Sequence, residues 1–165
     1  MVTRNFAKMA ATVMNDITSH KHASYFAGPV SDKSAAGYSE IIKRPQHLKA
    51  IRAAITAGTR AMAAASTTTN SPSASASKIA DGSTTFELER TAELVPPKAI
   101  VNGEQLEKEV YRMFANAVMF NPGEDGLVSD TREMFEDVEA KIGDWRGAER
   151  EPDESTDGKT KRRKL

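Results

Sequence analysis

Phe6, Met9, Val13 and Ile17 recur at spacings of three and four, a period that sets them on one helical face until His20-Lys21-His22 ends the run. A helix over residues 4–21 follows. From Ala23 to Arg44 the period is lost at Gly28-Pro29, Ser31-Asp32 and Gly37, yet Tyr25, Phe26, Val30, Tyr38, Ile41 and Ile42 keep the segment apolar. A long loop with that much hydrophobic content is packed or functional. Pro45 then opens a short helix with Leu48, Ile51 and Ile55 on one side, closed by Gly58. Asn102 and Gln105, three apart, form a capping-box pattern ahead of a stripe of Leu106, Val110, Met113, Phe114 and Ala117. That helix must stop at Asn121, because Pro122 follows it. The last stripe is Thr131, Met134, Phe135, Val138, Ile142 and Trp145. Four amphipathic helices imply an all-α bundle with a long first inter-helix loop.

Between the second and third helices the pattern disappears. Residues 63–77 contain only Ala, Ser, Thr, Asn and Pro, too little apolar surface to offset the entropy of ordering them. Residues 60–99 are therefore expected to be a low-complexity disordered insertion within a domain spanning 4–146. Phe86, Leu88, Leu94 and Val95 could dock locally, and Pro96-Pro97 opposes a continuing helix. Residues 147–165, acidic and then basic, are expected to be a disordered charged tail.

At 165 residues, less the insertion, about 110 residues remain to fold, enough for one modest core. Lys plus Arg equals Asp plus Glu at 23 each, so the chain is not a polycation built to coat nucleic acid, and any contact of that kind is local. The terminal Lys161-Arg162-Arg163-Lys164 suits a nuclear-import signal, a weak phosphate contact or a solubilising end. The absence of cysteine removes disulfides, thiolate catalysis and cysteine-based zinc sites. With no apolar run of 18 residues and no signal-peptide segment, a soluble intracellular protein without a membrane partner is expected. Three histidines, His20, His22 and His47, do not make a zinc site, and pairs such as Glu136-Asp137 read as solvated surface. No nucleophile elbow, phosphate loop or dinucleotide fingerprint is present. A non-enzyme with no metal and no cofactor is the resulting expectation.

One polar residue stands apart. Asn121 lies at a helix exit between an apolar run and Pro122-Gly123, where its carboxamide can offer NH₂ donors to a ligand carbonyl without carrying charge.

In this order, Phe26-Ala27-Gly28-Pro29-Val30, Gly37-Tyr38-Ser39-Glu40-Ile41-Ile42-Lys43-Arg44-Pro45, Met113-Phe114-Ala115-Asn116-Ala117 and Phe120-Asn121 resemble a bromodomain over residues 5–58 and 101–146. Within that family the chain is most similar to bromodomain subunits of nucleosome (histone) acetyltransferase complexes, through Gly37-Tyr38 and Phe114-Ala115-Asn116-Ala117-Val118-Met119. The resemblance implies a left-handed four-helix bundle that binds acetyl-lysine on histone tails, in a nuclear, chromatin-associated complex with other subunits. It implies that Asn121 donates to the acetyl carbonyl and that Tyr38 reaches the same oxygen through water. Val30, Phe26 and Pro29 would meet the acetyl methyl from the loop side, Ala117 and Phe120 from the helix side. Leu127, or Val128 in another register, would be the gatekeeper, and Asn116 would tie down the loop. Two departures stand out: Ser24-Tyr25-Phe26 replaces the family's Trp-Pro-Phe shelf, and Pro45-Gln46-His47-Leu48 replaces Pro-Met-Asp-Leu. An altered shelf leaves a second reading open, a protein-interaction scaffold with a degenerate pocket.

Overall fold

The computed structural model describes residues 2–3, 5–68, 85–86 and 91–150. Its long helices are α1 (Phe6–Thr18), α3 (Leu48–Thr68), α4 (Gly103–Phe120) and α5 (Leu127–Arg150), with the one-turn α2 (Tyr38–Ile41) inside the first loop. Single 3-10 turns lie at Ala23–Phe26 and Ala92–Leu94, and Val2–Thr3 pairs antiparallel with Thr85–Phe86.

The four long helices make the expected bundle. α4 lies along α5 and α1 along α3, while α1 also touches α4 and α5. The stripes read from the sequence meet inside: Phe6, Ile17, Ile51, Leu106, Met113, Met134 and Ile142 are at most 1 % exposed. Each such side chain contributes roughly 1.5–3 kcal/mol through burial. Aromatic edges continue the core, from Phe26 on Phe114 at 5.2 Å to Phe114 on Phe135 at 5.8 Å.

Local chemistry sets the helix limits. α1 stops at Thr18, short of the expected residue 21. There the Thr18 hydroxyl donates back to the Met14 carbonyl at 2.7 Å and that of Ser19 to Asp16 at 3.0 Å, and the next turn forms around the His20 ring instead, whose Nδ1 accepts the His22 N–H. α4 begins under Asn102, whose Oδ1 accepts the Gln105 N–H at 2.9 Å. Gln105 reaches back to the Val101 N–H at 2.9 Å, one residue earlier than a strict capping box would place it. α4 ends at Asn121 in an extended conformation (φ −93°, ψ 120°), as the following proline requires.

The second long helix departs from its expected end. Gly58 does not close it: α3 continues to Thr68, with Met62 buried. Gly58 is instead a point of close approach, where an added Cβ would lie 2.1 Å from the Ile100 carbonyl oxygen, and nearby the Ile100 N–H donates to the Ala54 carbonyl at 3.0 Å. The glycine lets the returning chain cross the helix, and the alanines beyond it are strong helix formers. Residues 60–68, assigned to the insertion from the sequence, are therefore helical. On the return, Leu94 packs against the core and Ala99 is buried. The remainder of that insertion, 69–84 and 87–90, lies outside the described residues. So does the tail from 151 onward, while 147–150 belong to α5. Among the described residues, no helix is long and apolar enough to cross a membrane.

Candidate functional site

The first loop is built to hold one ring. Gly37 takes a left-handed conformation (φ +76°) that turns the chain into α2, and Asp32 caps that helix by accepting the Ser39 N–H at 2.9 Å and the Ser39 hydroxyl at 2.6 Å. These bonds hold the Asp32 carboxyl below its ordinary range, the hydroxyl bond being the larger cause. Tyr38, first residue of α2, is thereby buried with its ring edge-on to Phe120 of α4, centroids 4.9 Å apart at 71°. Burial pushes its phenol up, so the hydroxyl stays protonated and able to donate.

Opposite stands the exit of α4. The Asn121 Nδ2 donates to the Ala117 carbonyl at 2.8 Å, which fixes the carboxamide and leaves a second N–H and the Oδ1. Between this wall and the loop lies a cavity of about 130 Å³. That is several times the ~30 Å³ share of a water molecule in the liquid, room for the few heavy atoms of an acylamide. Asn121, Tyr38, Phe26, Val30, Ala117, Phe120 and Leu127 all line it. Pro29 does not: it is exposed and lies outside the lining. Of Leu127 and Val128, it is Leu127 that lines the cavity, while Val128 is 2 % exposed in the interior.

Met113, Gln46 and His47 also line the cavity, and sequence reasoning did not place them there. Met113 was read as pure core. Gln46 and His47 shape the start of α3, where the His47 Nδ1 accepts the Ala50 N–H at 3.2 Å and the Gln46 Oε1 accepts the His47 N–H at 3.1 Å. Burial, helped by the Lys49 charge, pushes the imidazole of His47 below its ordinary value, in keeping with a neutral ring that accepts at Nδ1.

Gln46 leads to a second omission. Its Nε2 donates to the Glu109 Oε2 at 2.7 Å, and Arg44 donates to the Oε1 at 3.0 Å, so a carboxylate 2 % exposed inside the bundle anchors the loop from below. The signal was present: Glu109 follows Leu106 by three and precedes Met113 by four, a charge on an apolar stripe. Asn116 helps from the same helix, its Nδ2 donating to the Arg44 carbonyl at 2.9 Å.

The outer rim is ionic. His20, Lys21 and His22 face Asp137, Glu133 and Asp130 of α5, with the His20 Nε2 3.0 Å from Asp137, the His22 Nε2 2.9 Å from Glu133, and Lys21 paired to Glu133. Hydrogen bonds from Lys21 and then His22 bring the Glu133 carboxyl down to about 2. Tyr25, at the cavity mouth, donates its hydroxyl to Asp130 at 3.2 Å. His22, Asp130 and Glu133 present possible metal-ligand atoms within 4.8 Å of one another, but Lys21 and Tyr25 already engage the two carboxylates.

The cavity is thus a mainly apolar slot with an amide donor on one wall and a phenol on the other, suited to a small neutral acyl group. No curated protein matches the sequence. Among solved structures the chain is similar to the bromodomain of human BAZ1A, with 13 % identity, 88 % of this chain and 98 % of that chain covered, and a TM-score of 0.48. The bromodomain family model matches residues 10–65, which comprise most of α1, the whole first loop and most of α3. The match thus covers about a third of the chain, and the residues it covers open the four-helix bundle expected from the sequence.

Proposed function

We propose that the cavity receives the acetylated side chain of a lysine on a histone tail, and that the protein is a non-enzymatic, chromatin-associated reader in the nucleus, a subunit of a histone acetyltransferase or remodelling complex. The observation that carries this reading is Asn121, fixed by Ala117 at the end of α4 with an N–H to spare, lining the same apolar slot as Tyr38.

Selectivity for the acetylated form comes mainly from desolvation. A lysine ammonium buried without a partner costs several kcal/mol even after relaxation, whereas a neutral amide that keeps a hydrogen bond loses little. Asn121 adds to this, because its NH₂ can meet a carbonyl oxygen but not the donor-only ammonium. The favourable terms are small: about 1 kcal/mol for the hydrogen bond and about 0.8 kcal/mol for the buried methyl. Single-site affinity is therefore weak, and useful occupancy depends on neighbouring modules in the same assembly. Exposed Ser24 stands at the tryptophan position of the shelf and Tyr25 beside it is half exposed, which leaves the peptide flank loosely held.

The test is calorimetric titration of the native protein and Asn121→Ala with an acetylated histone-tail peptide and its unmodified twin. Saturable binding of the acetylated peptide alone, abolished by the substitution, is the expected result. Equal binding of both peptides, or indifference to the substitution, would reject the reader and favour an interaction scaffold.

A further inference from the structure

Besides the acyl slot, the structure has an open groove of about 500 Å³ beneath the same loop, lined by Arg44, Lys108, Glu109 and Arg112, with Ala92, Val95 and Pro96 as its apolar side. Its charge is uneven. Both guanidinium groups turn to one acid: Arg44 donates to the Glu109 Oε1 at 3.0 Å and the Arg112 Nε lies 3.5 Å from the same oxygen. The other oxygen of Glu109 is taken by Gln46 at 2.7 Å. Lys108 is matched by Glu104, at 2.6 Å. Two arginines therefore share a single carboxylate with both oxygens engaged, and among the described residues lining the groove one unit of positive charge is left in excess.

Donors remain as well as charge. Each guanidinium carries five N–H groups. Arg44 uses one of them in its bond to Glu109. The Arg112 Nε is sealed from solvent without a hydrogen bond, at ion-pair range only. Yet the Arg44 and Arg112 side chains are 41 % and 35 % exposed, so their remaining N–H groups reach the groove. A buried acid that holds two arginine forks side by side, with surplus charge and open donors, is an arrangement suited to a tetrahedral oxyanion, which accepts several N–H bonds at once.

We infer that this groove binds a phosphate monoester, with Arg44 and Arg112 on its oxygens and the carbon chain bearing it laid against Val95 and Pro96. Phosphate and phosphorylated side chains share the head group; the apolar wall favours the phosphorylated side chain. The site does not depend on the acetyl-lysine reading, since none of these groove residues lines the acyl slot.

The experiment follows the arginine Nε–H resonances of the full chain by NMR while O-phosphoserine, inorganic phosphate or sodium chloride is added at matched ionic strength. Saturable shifts at Arg112 with phosphoserine, weaker ones with phosphate and none with chloride are expected. Arg112→Gln should weaken phosphoserine binding about tenfold, the value of one charge-assisted contact. Arg112→Lys keeps the charge but loses the fork, and should lie in between. Lys141→Ala, exposed and outside the groove, checks that net charge alone is not being read and should change binding little. A response equal to that of chloride, or one unaltered in Arg112→Gln while the variant remains folded by its amide spectrum, would overturn the site. Preference for free phosphate over phosphoserine would overturn the phosphorylated side chain as its ligand.

Discussion

Asn121 is held by Ala117, one turn back in the helix it terminates, through a 2.8 Å bond from its Nδ2. The proposed binding group and the helix cap are the same side chain. Asn121→Asp, nearly identical in shape, replaces the NH₂ with an oxygen that repels both the Ala117 carbonyl and an acyl oxygen. We expect at least about tenfold weaker binding of acetylated peptide, and about 1 kcal/mol less stability from the lost cap bond. Titration calorimetry and urea denaturation measure the two separately.

Tyr38 contributes a ring and a hydroxyl that can be separated. Tyr38→Phe keeps the edge contact with Phe120 and removes only the donor. A water-mediated bond of ordinary strength predicts a loss of about 1 kcal/mol, roughly fivefold in affinity, with the thermal midpoint nearly unchanged. A large fall in the midpoint would show that the phenol serves the fold instead.

Glycine to alanine within a helix ordinarily stabilises by about 1 kcal/mol, and Gly143 of α5, with nothing within 4 Å of an added Cβ, should follow that rule. Gly58 should reverse it. A methyl 2.1 Å from the Ile100 carbonyl oxygen forces two backbones apart, so Gly58→Ala is expected to destabilise by about 3 kcal/mol. Urea midpoints of the two variants should move in opposite directions.

Glu133 provides a test in acid. Its folded carboxyl is depressed from 4.5 to about 2 by Lys21 and His22, so the unfolded chain takes up the proton first as pH falls. The stabilisation is therefore whole above pH 4.5 and drains away as pH drops towards 2. The stability gap between native protein and Glu133→Gln should close over that interval. A gap that stays constant from pH 6 to pH 2 would show that the rim ion pairs do not form in solution.

For His47 the shift has the same direction with a base in place of an acid. A ring held below 6.5 resists protonation in the fold, so its contribution is complete above pH 6.5 and is lost as pH falls below that value. Protonation also removes the acceptor for the Ala50 N–H. NMR titration should give a His47 midpoint below 6.5, with faster Ala50 amide exchange as the ring becomes charged.

Much of the cavity was legible because its residues carry local signals. Pro122 forces Asn121 out of the helix, Gly37 marks the turn into Tyr38, and Ala117 falls on a patterned apolar position, while Phe26 and Phe120 came from the resemblance. What escaped notice depends on contacts distant in sequence. A glycine that permits a close crossing looks the same as one that ends a helix, so Gly58 was misread until Ile100 could be seen beside it. The alanines after it carry helix propensity but little hydrophobicity, and a pattern of burial passes over them. Glu109 was visible as a charge on an apolar stripe, yet its partners Arg44 and Gln46 are more than sixty residues away. Pro29 is the opposite case: its neighbours in sequence reach the cavity and it does not.

The crossing at Gly58 and Ile100 also anchors the chain between α3 and α4. The Ile100 N–H is bonded to the Ala54 carbonyl and its own carbonyl lies over Gly58, so the start of α4, and with it the wall that carries Ala117 and Asn121, is registered against the middle of α3.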